Sequence, residues 1–158
     1  MGQQSAAPDT DTDRHIEVEP SPRWVRVKLG GEFIADSKRV LTLRDGGRLP
    51  VYCFPPADVR TELLSPVDPA AAAGEDIRHW TVRVTETVAE NAAISYAGAV
   101  AGREAFEGHF TFRWEKMDHW YEEEEEVFVH ARDPYHRVDV LPSSRHVRVE
   151  VGGQVVAE

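Results

Sequence analysis

At 158 residues the chain has room for one domain with a real core plus tails, and 41% hydrophobic and 29% charged residues are ordinary for a soluble globular protein. A formal charge of −10, from 28 acids and 18 bases with no Lys/Arg block, argues against nucleic acid, which needs clustered basic side chains. The single cysteine, Cys53, excludes an internal disulfide and a Cys-rich zinc site.

Residues 1–22 are mostly polar with no repeating apolar pattern, and they read as a disordered leader. They hold no apolar segment, so neither a signal peptide nor a membrane span is expected. "MGQQSA" misses the myristoylation pattern at Ala6. A cytoplasmic protein of bacterial type is the default expectation.

From Trp24 alternation is strict: Val25, Val27 and Leu29 face one way, Arg26 and Lys28 the other. Gly30-Gly31 supplies the positive φ angles of a two-residue hairpin, and "EFIADS" returns as its partner strand. "RVLTL" is a third strand, "RDGGR" a tight turn, and "LPVYCF" a short buried strand. "PADVRTELL" predicts a short helix, with Pro56 in its first turn and Val59 and Leu63 on one face. "SPVDPAAAAGED" is a loop; "RHWTVRVTE", "NAAISYA" and "GHFTFRWEKMDHWY" supply further strands. Glu122–Glu126 are five consecutive carboxylates, whose mutual repulsion predicts a solvated edge or turn. They lack the spaced pattern of a calcium loop. The fold class is therefore all-β, an open barrel or folded sheet with one short helix.

Residues that could carry chemistry are few. Cys53 has no activating neighbour in sequence and reads as buried packing. In "HARDPYHRVD", His130, Asp133, His136 and Asp139 recur every three residues, a spacing reminiscent of a metal site. An extended segment holding Pro134 does not converge such side chains on one point. The preferred reading is a connector over 130–142 locked by charge-assisted hydrogen bonds of Arg132, Asp133, Arg137 and Asp139. Tyr52, Trp80, Tyr96, Phe112 and Trp114 either line a concave binding face, with Asp58 and Arg60 at its rim, or form core. No catalytic constellation, metal or cofactor is expected. A small organic ligand is the expected partner, and the alternative is an enzyme acting on a small anionic or nucleotide-like metabolite through Tyr52, Arg60 and Tyr96.

The chain also repeats itself. Residues 138–158 laid on 16–36 match at ten of twenty-one positions, among them Arg23, Val25, Arg26, Val27, Gly30 and Gly31. The organisation read from this is a domain over 23–129, the connector, and over 143–158 the opening hairpin of a second copy cut short. That hairpin is predicted to set Val147, Val149 and Val151 on one face, with Val156 opposite Val149. It is expected to dock on its own domain through the connector, with a symmetric homodimer as the other option.

"VRVKLGGEFIADSKRVLTL", "PVYCFPPADVRTELL", "WTVRV", "AENAAISY" and "VFVHARDPYHRVDVLPSSRHVRVEVGGQVVA" together resemble the domain-of-unknown-function 427 (DUF427) family, over about residues 23–158. The resemblance implies a β-tent fold, similar in outline to the Mss4 and methionine sulfoxide reductase B group, and a tandem organisation. Those relatives often hold zinc through paired CxxC motifs; with Cys53 alone, this chain would be a zinc-free version. Where family copies carry a Cys-Pro-x-Lys-Gly-type segment, this chain has "PAAAAGEDIR". The resemblance implies fold and organisation but no reaction.

Overall fold

The first strand lies inside the segment expected to be disordered. In the computed structural model, which describes residues 16–45, 48–68, 77–96, 104–132, 135 and 138–158, Ile16–Pro20 forms strand β1. The reason is a short period-two pattern in "IEVEP". Ile16 and Val18 pack on a small cluster around Leu43 and Cys53, while Glu17 and Glu19 reach Arg44 on the opposite side. The leader as read therefore runs too far, since residues 16–20 belong to the folded domain.

The remaining strands are β2 (Val25–Leu29), β3 (Glu32–Ser37), β4 (Leu41–Asp45), β5 (Val51–Cys53), β6 (Leu64–Pro66) and β7 (Ile77–Val84). They continue with β8 (Thr87–Tyr96), β9 (Phe110–Phe112), β10 (His119–Glu122), β11 (Glu125–Val127), β12 (Val149–Val151) and β13 (Gln154–Ala157). All pairings are antiparallel, in the orders β1-β4-β5, β11-β10-β2-β3, β6-β7-β8-β9 and β12-β13. The fold is all-β, with several open sheets and no barrel among the described residues.

The first three sheets share a core. Val25, Val27, Ile34, Phe54, Val82, Phe112 and Trp120 are buried in it together. Backbone hydrogen bonds between Phe54 and Phe110 tie β5 to β9 across two sheets.

"PADVRTELL" is not a helix but two single 3-10 turns, Pro56–Asp58 and Thr61–Leu63. Val59 between them is extended because it bridges to Ala35, and Arg60 N–H donates to the Ile34 carbonyl. Tertiary pairing here overrides the local helix signal. The loop expected from Ser65 begins later, since Ser65 and Pro66 pair with Thr81 and Trp80. Residues 69–76 and the glycines of the "RDGGR" turn lie outside the described residues.

The C-terminal hairpin copies the first one in detail. In β2–β3, Val27 faces Ala35, Lys28 faces Phe33 and Leu29 faces Glu32, with a bulge between Val27 and Lys28. In β12–β13, Val149 faces Ala157, Glu150 faces Val155 and Val151 faces Gln154, with the bulge between Val149 and Glu150. Each equals its counterpart shifted by 122 positions. The bulge also corrects the expected register, putting Ala157 rather than Val156 opposite Val149. The Ser-x-Arg lead-in repeats too: the N–H groups of Arg23 and Arg145 donate to Ser21 and Ser143 Oγ, each at 3.2 Å.

The surroundings differ. A Cβ at Gly30 would come within 3.2 Å of Thr87 and Val84, whereas one at Gly152 would meet nothing within 4 Å. Every residue of β12 and β13 is exposed. The strands do not dock on the domain as expected. What docks is the lead-in, through Ser143 and Arg145 on Glu123 and Ser144 on Glu124.

Candidate functional site

Where the three core sheets meet, a cleft of about 350 Å³ opens to the surface. Strand β5 contributes Tyr52, β8 Ile94 and Tyr96, β9 Phe112, and β10 Trp120; Trp114 enters from the 3-10 turn Trp114–Lys116. Trp114 lies parallel on Trp120 with centroids 4.1 Å apart and planes 6° apart. Trp120 and Phe112 each contact Phe54, so the floor of the cleft is continuous with the core. Leu49 and Val129 form an exposed apolar rim. Val129 has φ of 80°, a left-handed conformation that is strained for a β-branched residue.

Besides Tyr52, Tyr96 and Thr111, the cleft is lined by the polar side chains of Arg113, Glu115 and His130. His130 Nδ1 lies 2.7 Å from the Ala131 carbonyl. A carbonyl only accepts, so Nδ1 carries a proton. Trp120 Nε1 and Arg113 Nε are buried without a hydrogen-bond partner. Arg23, Arg26, Arg44 and Arg132 are as half-buried as Arg113, and each reaches a carboxylate. The Arg113 side chain reaches none among the described residues.

Behind Tyr52 lies a polar cluster that the sequence reading missed. Glu122 and Glu123 are buried, 1% and 5% exposed, not the solvated edge that mutual repulsion predicts. The phase of β10 carries Glu122 inward beside Trp120, and Arg23 is there to meet it in an ion pair. Tyr52 Oη donates to Glu122 Oε1 at 2.7 Å, and the Arg132 N–H to the same oxygen at 3.3 Å. Arg23 also reaches Asp139 at 2.9 Å, and Arg132 reaches Glu125 at 2.5 Å, which fastens the connector to the domain. Burial, and after it the Glu122 carboxylate, push the Tyr52 phenol far above its ordinary range, so it stays protonated as a donor. Burial likewise pushes the Cys53 thiol up to about 12, which leaves it inert as a nucleophile.

Of the residues singled out from sequence, the structure brings Tyr52, Tyr96, Phe112 and Trp114 together at the cleft. Trp80 is elsewhere, its ring against Phe110 and its Nε1 donating to Ser95 at 2.8 Å. Asp58 and Arg60 do not form the rim. Asp58 accepts from Ser37 and Arg39, each at 2.6 Å, and Arg60 pairs with Glu32 and Glu62. Burial raises the Asp58 carboxyl, but those hydrogen bonds outweigh it and hold it below its usual value. Asp133, His136 and Arg137 lie outside the described residues. Among those described, no group of three His, Cys, Asp or Glu is placed to hold a metal, and no helix is long and apolar enough to cross a membrane.

A family model described as "Domain of unknown function (DUF427)" matches residues 17–123. The chain belongs to this family. The DUF427 match opens in β1 and closes at Glu123, so it takes in Arg23, Tyr52, Glu122 and Glu123 of the buried cluster and all of the cleft except Val129 and His130. No curated protein matches the chain.

Proposed function

We propose that this DUF427 domain is a small-ligand-binding module whose site is the cleft between its three core sheets. The observation that carries the reading is the aromatic cleft itself, walled by a stacked tryptophan pair and rimmed by exposed, strained Val129. Apolar walls with a few polar groups are what small-molecule sites present. A catalytic reading is weaker, because Tyr52 and Cys53 are held in their protonated forms and no nucleophile is paired with a base among the described residues. The test is a thermal-shift screen with planar aromatic compounds, since a ligand of the native state raises its melting temperature. A hit should lose its shift in Trp114→Ala and keep it in Trp80→Phe. Shifts that survive Trp114→Ala, or no stabilising compound at all, defeat the reading.

A second role is favoured by one observation, the bare copy of the core hairpin over 143–158. We read it as the opening of a second domain copy, joined by the connector 130–142 and able to recruit another chain. Val149, Val151 and Val155 are exposed, and β12 has a free edge. Light scattering of the whole chain against a chain ending at His146 tests this; equal mass in both, at the monomer value, rejects self-association.

A further inference from the structure

Resting on the cleft as the binding site, we infer that its ligand is a planar organic anion, a carboxylate or a group of like shape, held by Arg113. Arg113 lines the cleft, and its side chain reaches no carboxylate among the described residues. A guanidinium presents five N–H groups and accepts nothing, so the group that meets it is an acceptor.

Buried donors in native proteins are nearly always paired, and leaving one unpaired is costly. Arg26 and Arg44 also have a buried, unpaired Nε, but their Nη2 atoms reach the carboxylates of Glu124 and Glu17, which leaves neither charge without an anion. Arg113 has no such compensation among the described residues. Glu115 lines the same cleft and makes no ion pair with it. Arg113 thus carries a charge that no carboxylate of the described residues meets, and the planar fork of a guanidinium matches a carboxylate with two parallel bonds. The flat shape follows from the walls, where the rings of Tyr96, Phe112, Trp114 and Trp120 leave a site lined by aromatic faces and edges.

The fold supports Arg113 in this role without depending on its charge. Its backbone N–H donates to Ala92 at 2.8 Å and it begins the 3-10 turn that carries Trp114. The side chain makes no ion pair among the described residues, unlike Arg23 or Arg132.

The experiment uses the full chain and two probes of similar shape, 2-naphthoate and the neutral 2-naphthalenemethanol, titrated by calorimetry and tryptophan fluorescence. The wild type should bind naphthoate at least about tenfold more tightly, the value of hydrogen bonds to a charged group. Arg113→Gln should abolish that preference, leave the alcohol's affinity unchanged, and melt at the wild-type temperature. Arg113→Lys, which keeps charge but loses the fork, should retain part of the preference, and it serves if the Gln variant does not fold. Equal binding of the two probes, or a preference that persists in Arg113→Gln, overturns the anion inference while leaving the cleft as a neutral site. Binding of neither probe counts against the cleft itself.

Discussion

Replacing Glu122 by Gln tests the central electrostatic reading of the domain, because it keeps the shape of the side chain and removes its charge. Glu122 is 1% exposed, and its partner Arg23 is also well shielded, at 15%. Breaking such a pair from one side costs about 3–5 kcal/mol, because the surviving charge stays buried. Here Arg23 keeps Asp139 at 2.9 Å, and Tyr52 can still donate to the amide oxygen, so the low end applies, about 3 kcal/mol. For a domain of this size that corresponds to a fall in melting temperature of roughly 10 °C. Glu124→Gln is the control from the same run: its side chain is 39% exposed and its contact with Arg26 is 3.5 Å, so it should cost under about 1 kcal/mol. Thermal unfolding by circular dichroism and urea titration, with the urea slope checked for constancy, give both values. If the two variants melt within about 2 °C of each other, the run is uniformly solvated and the reasoning about Arg23 is wrong.

Truncation separates the lead-in from the hairpin. A chain ending at His146 keeps the Ser143 and Arg145 bonds to Glu123 and should melt like the whole, whereas one ending at Leu141 leaves Glu123 buried with fewer donors and should lose about 1–3 kcal/mol, read by the same unfolding assays. For Asp58 the sign follows from its lowered folded value: its stabilisation is present above the unfolded carboxylate pKa of about 3.9 and is lost as pH falls through the folded one. Asp58→Asn should therefore be less stable than wild type at pH 7, with the gap in melting temperature narrowing below about pH 4; a gap constant across that range refutes the assignment.

The parts legible in the sequence were those set by local rules. Period-two alternation and Gly30-Gly31 yield the β2–β3 hairpin directly, and the aromatic residues of β5, β8 and β9 do gather on one cleft. The Glu122 cluster was not legible from composition, because the glutamate run crosses a boundary: Glu122 ends β10, while Glu123 and Glu124 form the turn into β11. Extending the phase from buried Trp120 by two residues would have turned Glu122 inward. Its partner Arg23 is 99 positions away, and no local pattern reports that distance. Arg113 escaped notice because strand alternation sets it opposite Phe112, yet the strand ends there and the 3-10 turn begins at Trp114. Asp58 and Arg60 lie away from the cleft because Val59 between them is pinned to β3, a long-range bridge that no local pattern reports.

The duplicated hairpin also makes this protein its own reference compound. The same bulge, the same cross-strand partners and the same pair of left-handed glycines occur twice in one chain, once under a core and once bare. Turn chemistry and intrinsic propensity are thus nearly matched between the two. The ratio of amide hydrogen-exchange rates at equivalent positions, Val27 against Val149 and Leu29 against Val151, therefore isolates what enclosure by neighbouring strands contributes to holding a hairpin closed. Few proteins offer that subtraction without a second molecule, and here it is available in a single spectrum.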